Sequence, residues 1–347
     1  MIIIKLIGGL GNQMFQYALG RRLAIRNRMQ LKLDLSGFEE IKGTTPRHYE
    51  LNIFPIHVQF ATPAETALYT KSPIYRVLPE RSVRTIFFVF KLLKTNTSRF
   101  ASLARRIIQL LGHIIARLPI VGGKALSHTS KRETSASPIP GNRQKYIIER
   151  QCEFDSNILQ IDHDAYLEGY WQSENYFKDI KDTLLRDFTF KEPMDAKNQQ
   201  LAKEILGAES VSIHMRRGDY VTLESARKMH GGICNLDYYQ QALKIIAKKV
   251  PSPHFFVFSD DISWVQRNLQ INSPVVYVDH NTGAKSYEDM RLMSLCKHNI
   301  IANSSFSWWG AWLNQNAKKV VIAPNRWFND PTINTKDVVP ESWIKIE

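Results

Sequence analysis

The chain opens with MIIIKLIGGLGNQ over residues 1–13 and reaches LKLD at residues 31–34, and this stretch decides the fold class. The apolar run at 2–7 predicts a buried strand, because a short unbroken apolar run that ends at glycines is typical of parallel sheets. A helical pattern from Gln13 to about Asn27 and a second strand at 31–34 complete a β-α-β unit. The opening therefore predicts a doubly wound α/β domain.

A second β/α series occupies the C-terminal half. Helical patterns at 238–249 and 286–296 separate short apolar runs that end in polar residues, which predicts a parallel sheet with crossover helices. Because 347 residues suffice for about two domains, we predict an N-terminal α/β domain over 1–190 and a C-terminal Rossmann-like domain over 191–347. The predicted strands of the second sheet are 211–214, 254–258, 275–278, 299–302 and 319–322.

Composition limits the partners and the compartment. The formal charge of +13 indicates an anionic partner, a requirement that nucleotide phosphates, lipid headgroups and nucleic acid satisfy equally well. Cys152, Cys234 and Cys296 lie far apart and outside any zinc-binding spacing, so we expect reduced thiols and a cytoplasmic protein. Apolar runs in the sequence fall short of the roughly 18 residues that a membrane-spanning helix needs.

Residues 63–143 are predicted to form a basic, irregular insert in the N-terminal domain. Within it, residues 99–118 place apolar side chains near helical spacing with arginines among them. Such a helix fits peripheral contact with an anionic membrane face. It fits equally a helix that packs on the domain and leaves its arginines in solvent.

An arginine pair follows the first predicted strand of the second sheet. Ligands of parallel α/β sheets bind beyond the carboxyl ends of the strands, and Arg216 and Arg217 come just after the strand at 211–214. Paired arginines at a strand end are costly to bury unless they meet anions, and a diphosphate is a natural ligand for them. The alternative is that both lie on the surface and pair with Asp219.

Two further polar segments end strands at the same predicted edge. Asn303, Ser304 and Ser305 follow the strand at 299–302 and begin a helix, where free amides and hydroxyls bind phosphate oxygens. The alternative is an ordinary helix cap with the tryptophans that follow it in the core. Asp260 and Asp261 follow the strand at 254–258, and for them a helix cap is favoured over a contact with a base or ribose.

The glycine turn at 8–11 imitates a dinucleotide-binding fingerprint. Met14 stands where that fingerprint requires a glycine, so a nicotinamide or flavin cofactor is not expected. The glycines instead allow close backbone approach to a ligand, with the amides of Asn12 and Gln13 beside it. The D-x-D at 162–164 is interpreted as a surface turn and not as a metal site.

Four segments together resemble the α-1,2-fucosyltransferases of glycosyltransferase family 11. They are GGLGNQMFQYA at 8–18, GYWQSE at 169–174, HMRRGDY at 214–220 and NSSFSWW at 303–309. The resemblance implies a GT-B architecture, with two Rossmann-like domains that face an interdomain cleft. It also implies inverting transfer of L-fucose from GDP-fucose, which is a substrate, with no metal and no cofactor.

The resemblance further assigns residues of the donor site. Arg216 would hold the β-phosphate and act as the catalytic cation, because a fixed guanidinium stabilises the negative charge that grows on the leaving GDP. His214 would lie near the guanine and ribose, and Asp289 would contact the guanine edge. The donor-binding residues that the likeness implies are Asn12, Gln13, His214, Arg217, Asp289, Asn303, Ser304 and Ser305.

The acceptor side is less well defined by the sequence. The N-terminal domain would bind an oligosaccharide or lipid-linked glycan, through O2 of a galactose, with Trp171 and Gln172 as candidate contacts. Asp219 is the first candidate for the catalytic base and Glu224 the second, although Asp219 fits equally a role in orienting Arg217. Alternatives are a transferase with another sugar nucleotide or acceptor and, less expected, a basic nucleic-acid-binding protein.

Overall fold

The computed structural model describes residues 1–38, 46–70 and 145–347. The chain divides into two compact units, residues 1–61 with 146–347, and residues 62–145. In the second unit the described helix is α2, Pro63–Thr70. The predicted amphipathic helix at 99–118 lies outside the described residues, as does most of the predicted insert.

The first unit contains two parallel sheets, and the N-terminal sheet begins with the predicted β-α-β unit. Its strands are β1 (Ile2–Lys5), β2 (Leu31–Asp34), β3 (Gln59–Phe60), β4 (Tyr146–Ile148) and β5 (Ala165–Glu168). Their order is β3-β2-β1-β5-β4, and each neighbouring pair is parallel. Helix α1 (Leu10–Asn27) connects β1 to β2, which confirms the predicted β-α-β unit.

The C-terminal sheet confirms the second predicted series. Its strands are β6 (Ser210–Met215), β7 (His254–Ser259), β8 (Val275–Val278), β9 (His298–Ile300), β10 (Val321–Pro324) and β11 (Ile344–Ile346). All neighbouring pairs are parallel. Strand β11 was not predicted, because three residues at the chain end give too short a pattern to recognise.

Helices connect these strands. The remaining α-helices of the described residues are α3 (Lys181–Asp187), α4 (Ala196–Gly207), α5 (Gly218–Thr222), α6 (Glu224–His230), α7 (Leu236–Lys249), α8 (Ile262–Asn268), α9 (Tyr287–Leu295) and α10 (Ser305–Leu313). Short 3₁₀ helices occur at Ser36–Phe38, Leu51–Ile53, Ser156–Gln160, Glu174–Tyr176, Lys178–Ile180 and Gly283–Lys285. Within the described ranges, no helix is both long and apolar enough to cross a membrane.

The strand order of the C-terminal sheet creates a switch point. The order is β11-β10-β9-β6-β7-β8, so the chain winds outward from β6 in one direction and returns to β9 on the other side. In sheets of this kind a crevice forms at the carboxyl ends of the two strands where the winding reverses. Arg216 follows β6 directly, and Asn303 stands three residues after the last residue of β9.

One hydrophobic core joins the two sheets. Buried side chains form a continuous cluster from β1 and α1 to β7, α9 and α10. At its centre, the ring of Phe15 on α1 lies 4.4 Å from that of Trp308 and 5.0 Å from that of Trp309 on α10. The Trp309 indole Nε1 also donates to the Gly11 carbonyl oxygen at 2.9 Å. The starts of α1 and α10 are therefore packed directly on each other.

The α/β class with two Rossmann-like halves, the GT-B arrangement, is confirmed by these two parallel sheets. Both sheets lie in the same compact unit. The predicted domain boundary between residues 190 and 191 stays a prediction.

The close approach of α1 and α10 gives the first testable prediction. A Cβ at Gly11 would lie 2.5 Å from the Ser305 carbonyl carbon, which is backbone and cannot move aside. We expect Gly11→Ala to lower the free energy of unfolding by about 1–3 kcal/mol, the usual cost of overpacking. The matched control is Gly207→Ala at the end of α4, where a Cβ meets nothing within 4 Å. Thermal melting that shifts equally in both variants would contradict this packing.

Candidate active site

Arg216 is held in one orientation by two carboxylates. Its Nε and Nη2 donate to Asp219 Oδ1 at 3.1 and 2.7 Å, and its Nη1 pairs with Asp260 Oδ2 at 2.8 Å. Burial opposes the charge, but the two carboxylates outweigh it and raise the pKa of Arg216. Two of the five N–H groups of the guanidinium donate to Asp219, which leaves three for Asp260 and a ligand.

Arg217 contacts different residues from those that hold Arg216. Its Nε donates to Asp261 Oδ2 at 3.2 Å, and its guanidinium lies 3.5 Å from the centre of the Trp264 ring, within the range of a cation–π contact. The alternative in which both arginines pair with Asp219 is therefore wrong for Arg217. The helix cap is confirmed for Asp261, whose Oδ1 accepts from the Trp264 backbone N–H at the start of α8.

Two cavities meet at Arg216. One has a volume of about 530 Å³ and lies on the C-terminal sheet, beside Arg217, Tyr220, His230 and Trp264. The other has a volume of about 520 Å³ and is lined by Pro46, Arg47, Arg216, Gly218, Asp219, Thr222 and Leu223. Arg216 lines both cavities, so a ligand in either one lies beside this residue.

Arg47 is a site residue that sequence reasoning missed. Its Nη2 lies 3.4 Å from Asp219 Oδ2. The Asp219 carboxylate therefore contacts two guanidinium groups, that of Arg47 from the N-terminal half and that of Arg216 from the C-terminal half. Its Nη1 would lie 3.4 Å from a Cβ at Gly9, which places the guanidinium over the turn before α1. The contact joins residues 172 positions apart, and a lone arginine in a loop carries no local signal for such a contact.

The predicted donor ligand Gln13 is used by the protein itself. It is fully buried, and its Nε2 donates to the carbonyl oxygens of Gly8 and His48 at 3.0 and 2.8 Å. Its Oε1 accepts from the Glu50 backbone N–H at 2.9 Å. Gln13 therefore fixes the loop that carries Arg47, and its direct contact with a donor stays a prediction.

Asn12 has a different environment. It is half-buried, and its Oδ1 accepts from Gln172 Nε2 at 2.8 Å. Its Nδ2 would lie 2.4 Å from a Cβ at Gly8, so the side-chain amide occupies the space above that glycine. Gly8 also has φ +77°, a backbone conformation that glycine alone adopts at little cost.

At the start of α10, the structure confirms the core role of the tryptophans, whereas phosphate binding by Asn303, Ser304 and Ser305 stays a prediction. Ser304 precedes the helix, and no side-chain hydrogen bond from it caps the helix end. Trp308 and Trp309 are fully buried, which confirms the core role for the tryptophans. The amide of Asn303 donates to the carbonyl oxygens of His230 and Trp327, both at 3.2 Å, so this side chain orders the surrounding loops.

His214 lies at the end of β6, directly under the arginine pair. Its side chain is 6% exposed, and burial lowers its pKa, with the nearby Arg216 acting in the same direction and Asp260 opposing. The imidazole is therefore neutral near pH 7. Its Nδ1 is buried and has no hydrogen-bond partner within the described residues. Buried polar atoms normally have such a partner, and a polar group of a ligand would supply it here.

Asp289 stands in the first turn of α9, at the same edge of the sheet. Its Oδ1 accepts from Asn281 Nδ2 at 2.9 Å. Burial raises its pKa from 3.8 to about 7, an effect that the hydrogen bond from Asn281 opposes and the neighbouring Glu288 reinforces. Asp289 consequently changes its charge close to neutral pH.

The two candidate bases differ in their surroundings. Both oxygens of Asp219 face guanidinium groups, those of Arg216 and Arg47, so its orienting role concerns these two arginines and not Arg217 as considered from the sequence. Glu224 begins α6, where its side chain is 69% exposed and pairs with Lys228 at 2.7 Å.

The predicted acceptor residues lie inside the protein. Trp171 is 1% exposed and packs edge-on against Tyr176, and Gln172 is 7% exposed. Neither lines either of the two cavities. Their direct contact with an acceptor stays a prediction.

The D-x-D at 162–164 lies at the surface, with the side chains of Asp162 and Asp164 60% and 52% exposed. Asp164 pairs with the amino terminus of the chain. Within the described ranges, no group of three or more His, Cys, Asp or Glu side chains is arranged to hold a metal ion. Cys152, Cys234 and Cys296 are unpaired thiols.

The two parallel sheets form a GT-B arrangement, and Arg216 stands at the switch point of the C-terminal sheet, where open α/β sheets bind their ligands. Residues 141–347 match glycosyl transferase family 11. The chain belongs to this family and is a glycosyltransferase, as its motifs predicted.

Two curated relatives align over nearly the full length of the chain, and a third aligns over about half of it. The α-1,2-colitosyltransferase of Escherichia coli is 32% identical over 352 residues, which cover 100% of this chain and 99% of the relative. The O-antigen biosynthesis glycosyltransferase WbnK of Escherichia coli is 31% identical over 98% of this chain and 99% of its own. Galactoside α-(1,2)-fucosyltransferase 2 of Pongo pygmaeus is 28% identical over 52% of this chain and 53% of its own.

Among solved structures, NodZ α-1,6-fucosyltransferase soaked with GDP-fucose superposes with a TM-score of 0.43 at 14% identity, covering 90% of this chain and 92% of the other.

Because Arg47 and Arg216 share the Asp219 carboxylate, we predict that Arg47 helps to bind an anionic ligand beside Arg216. With inorganic pyrophosphate as the probe, we expect Arg47→Gln to weaken binding about 10-fold, since a charge-assisted hydrogen bond is worth about 1.5–3 kcal/mol before solvent screening. Calorimetric titration at constant low salt measures this. Arg186→Gln is the control, because Arg186 is an exposed arginine on α3 that donates to the Thr183 hydroxyl. Equal affinity in the two variants would remove Arg47 from the site.

Proposed function

We propose that this chain transfers L-fucose from GDP-fucose to a hydroxyl of a glycan, O2 of a galactose, with inversion at the fucose anomeric carbon and without a metal ion. The observation that carries the proposal is the guanidinium of Arg216, held by Asp219 and Asp260 at the switch point where two cavities meet. The family membership and the relatives that are named for α-1,2 transfer of fucose or colitose support the donor and the linkage.

The mechanism follows from where charge develops. As the glycosidic bond breaks, the sugar gains oxocarbenium character and the diphosphate gains negative charge. A guanidinium that is already oriented stabilises this transition state more than the ground state, because little reorganisation is needed when the charge appears. Asp219 and Asp260 supply that preorganisation, and Arg47 adds a second cation on the side of the N-terminal sheet.

The acceptor hydroxyl must lose a proton as it attacks. Asp219 already accepts hydrogen bonds from Arg216 on one oxygen and lies against Arg47 on the other, so we assign it the orienting role. We keep Glu224 as the proposed base. It follows Thr222 and Leu223, which line the cavity next to Arg47, and its exposed side chain has room to turn toward an acceptor.

GDP-colitose is a second candidate donor, because one relative is named for colitose transfer. The full-length relative that is 32% identical is named for colitose transfer. Colitose is fucose without the 3-hydroxyl, and a site built to hydrogen-bond a hydroxyl rejects the analogue that lacks it by about 10⁴-fold or more. A site that binds the 3-hydroxyl of fucose should therefore strongly prefer GDP-fucose, whereas a site built for colitose should discriminate less, by about 100-fold.

The test of the proposed function uses the purified protein with GDP-fucose and with GDP-colitose, each with and without EDTA. A panel of galactose-terminated and other glycans serves as acceptors. Product mass, glycosidic linkage and anomeric configuration identify the donor, the acceptor position and the stereochemistry. Fucosylation at galactose O2 with unchanged turnover in EDTA supports the proposal. Exclusive use of GDP-colitose, loss of turnover in EDTA, or another linkage would each refute the corresponding part.

Arg216 gives a sharp prediction for catalysis. We expect Arg216→Lys to lower kcat about 100- to 1,000-fold, because the single ammonium cannot be held by Asp219 and Asp260 while it also reaches the diphosphate. Arg186→Lys on α3 is the matched control and should retain the wild-type kcat. Steady-state transfer assays compare the two variants, and an Arg216→Lys enzyme with near wild-type turnover would contradict the assigned role.

Asp289 predicts a pH dependence of nucleotide affinity. If its carboxylate accepts hydrogen bonds from the guanine edge, only the ionised form binds, and with a pKa of about 7 that form is lost as the pH falls below 7. The dissociation constant for GDP should then rise about 5-fold between pH 7 and pH 6, because the ionised fraction falls from about one half to about one tenth. We expect Asp289→Asn to bind weakly at every pH without this slope. A wild-type affinity that stays constant from pH 6 to 8 would exclude the assignment.

A further inference from the structure

Three polar side chains form a chain of hydrogen bonds between the C-terminal half and the start of α1. Trp327 Nε1 lies 3.1 Å from Gln172 Oε1, and Gln172 Nε2 lies 2.8 Å from Asn12 Oδ1. We infer that Trp327 and Gln172 are positioning residues that fix the orientation of the Asn12 amide, so that its Nδ2 donates to an oxygen of the bound sugar nucleotide. The recipient rests on the proposed function, whereas the orientation rests on the hydrogen bonds alone.

The direction of the chain is set by chemistry. An indole N–H can only donate, so the atom of Gln172 that faces Trp327 must be the oxygen. The nitrogen of Gln172 must then face Asn12 and donate, which requires the oxygen of Asn12 in return. Turning either amide over would set two N–H groups against each other.

Burial makes this orientation costly to reverse. Trp327 is 3% exposed and Gln172 is 7% exposed, so water is not at hand to satisfy a mispaired amide. A buried polar group without its partner costs about 1–3 kcal/mol. The Asn12 amide is therefore held in one of its two orientations before any ligand binds.

The backbone before Gln172 is also unusual. Trp171 has φ +57°, a left-handed conformation that a bulky side chain adopts only where surrounding contacts impose it. The carboxylate of Glu149 accepts from the backbone N–H groups of Tyr170 at 2.6 Å and Trp171 at 3.0 Å. This strained turn is thus clamped in place, and it directs the next side chain, Gln172, toward Asn12.

The Asn12 end of this hydrogen-bond chain lies on the glycine turn before α1, beside Arg47. Asn12 Nδ2 donates to no other group within the described residues and occupies the space over Gly8. The adjoining Gly9 lies under Arg47, and Gly11 touches the backbone of Ser305. A donor fixed at this point therefore lies on the same glycine turn that the Arg47 guanidinium covers.

The test is a double-mutant cycle on transfer from GDP-fucose. Gln172→Glu keeps the shape and still accepts from Trp327, but its carboxylate cannot donate to Asn12. We expect it to lower kcat about 100-fold with little change in the KM for the donor. In an Asn12→Ala background the same substitution should change kcat less than about 3-fold, since the group that it positions is gone. Gln240→Glu on α7 controls for the added charge and should retain the wild-type kcat.

Two further readouts separate positioning from folding. The activity of Gln172→Glu, measured relative to the wild type at the same pH, should recover as the pH is lowered, because a protonated carboxyl group donates again; a general loss of stability has no such signature. Trp327→Phe, which leaves both orientations of Gln172 accessible, should lower kcat by a smaller factor than Gln172→Glu. Thermal melting and GDP binding of each variant are measured alongside.

The inference is overturned if Gln172→Glu lowers kcat by the same factor with and without Asn12, or leaves the wild-type value. If the wild-type protein transfers no fucose, the proposed function fails on its own. The orientation of the amides is then judged from side-chain amide NMR, where the signals of both Asn12 and Gln172 must shift in Trp327→Phe. Unchanged signals would refute it.

Discussion

The contact between the starts of α1 and α10 is the constraint on which the site depends. Gly11 touches the backbone of Ser305, and its carbonyl oxygen accepts from the Trp309 indole. This contact leaves no room for a side chain, and it sets the distance between the two sheets at their carboxyl edges. From the same turn region, Arg47 reaches Asp219, the carboxylate that also holds Arg216.

Charge at the site is balanced and ordered. Arg47, Arg216 and Arg217 face Asp219, Asp260 and Asp261, so each cation already has a carboxylate partner. Such pairing adds little long-range attraction for an anion, which the excess positive charge of the whole chain supplies instead. What the carboxylates contribute is orientation, because a guanidinium gripped at two or three nitrogens presents its remaining N–H groups in a fixed direction.

The sequence predicted those features that a short local pattern of residues marks. The opening β-α-β unit and the strands of the second sheet were predicted from short apolar runs, and Arg216 was found because it follows such a run. Arg47 was missed because its partner lies 172 residues away and loops leave no periodic signal. Gln13 shows a further limit: its place at a helix start suggested a ligand, but only the fold reveals that its amide faces His48 and Glu50.

The shared core has a consequence for synthesis of the chain. Phe15 on α1 is covered by Trp308 and Trp309, so the N-terminal β-α-β unit is complete only when residues near the far end of the chain arrive. At about 5–20 residues per second, roughly 15 to 60 s separate the two events on the ribosome. Throughout that interval the nascent chain lacks the aromatic side chains that cover Phe15 in the folded protein, and exposed apolar surface of this kind is prone to aggregation.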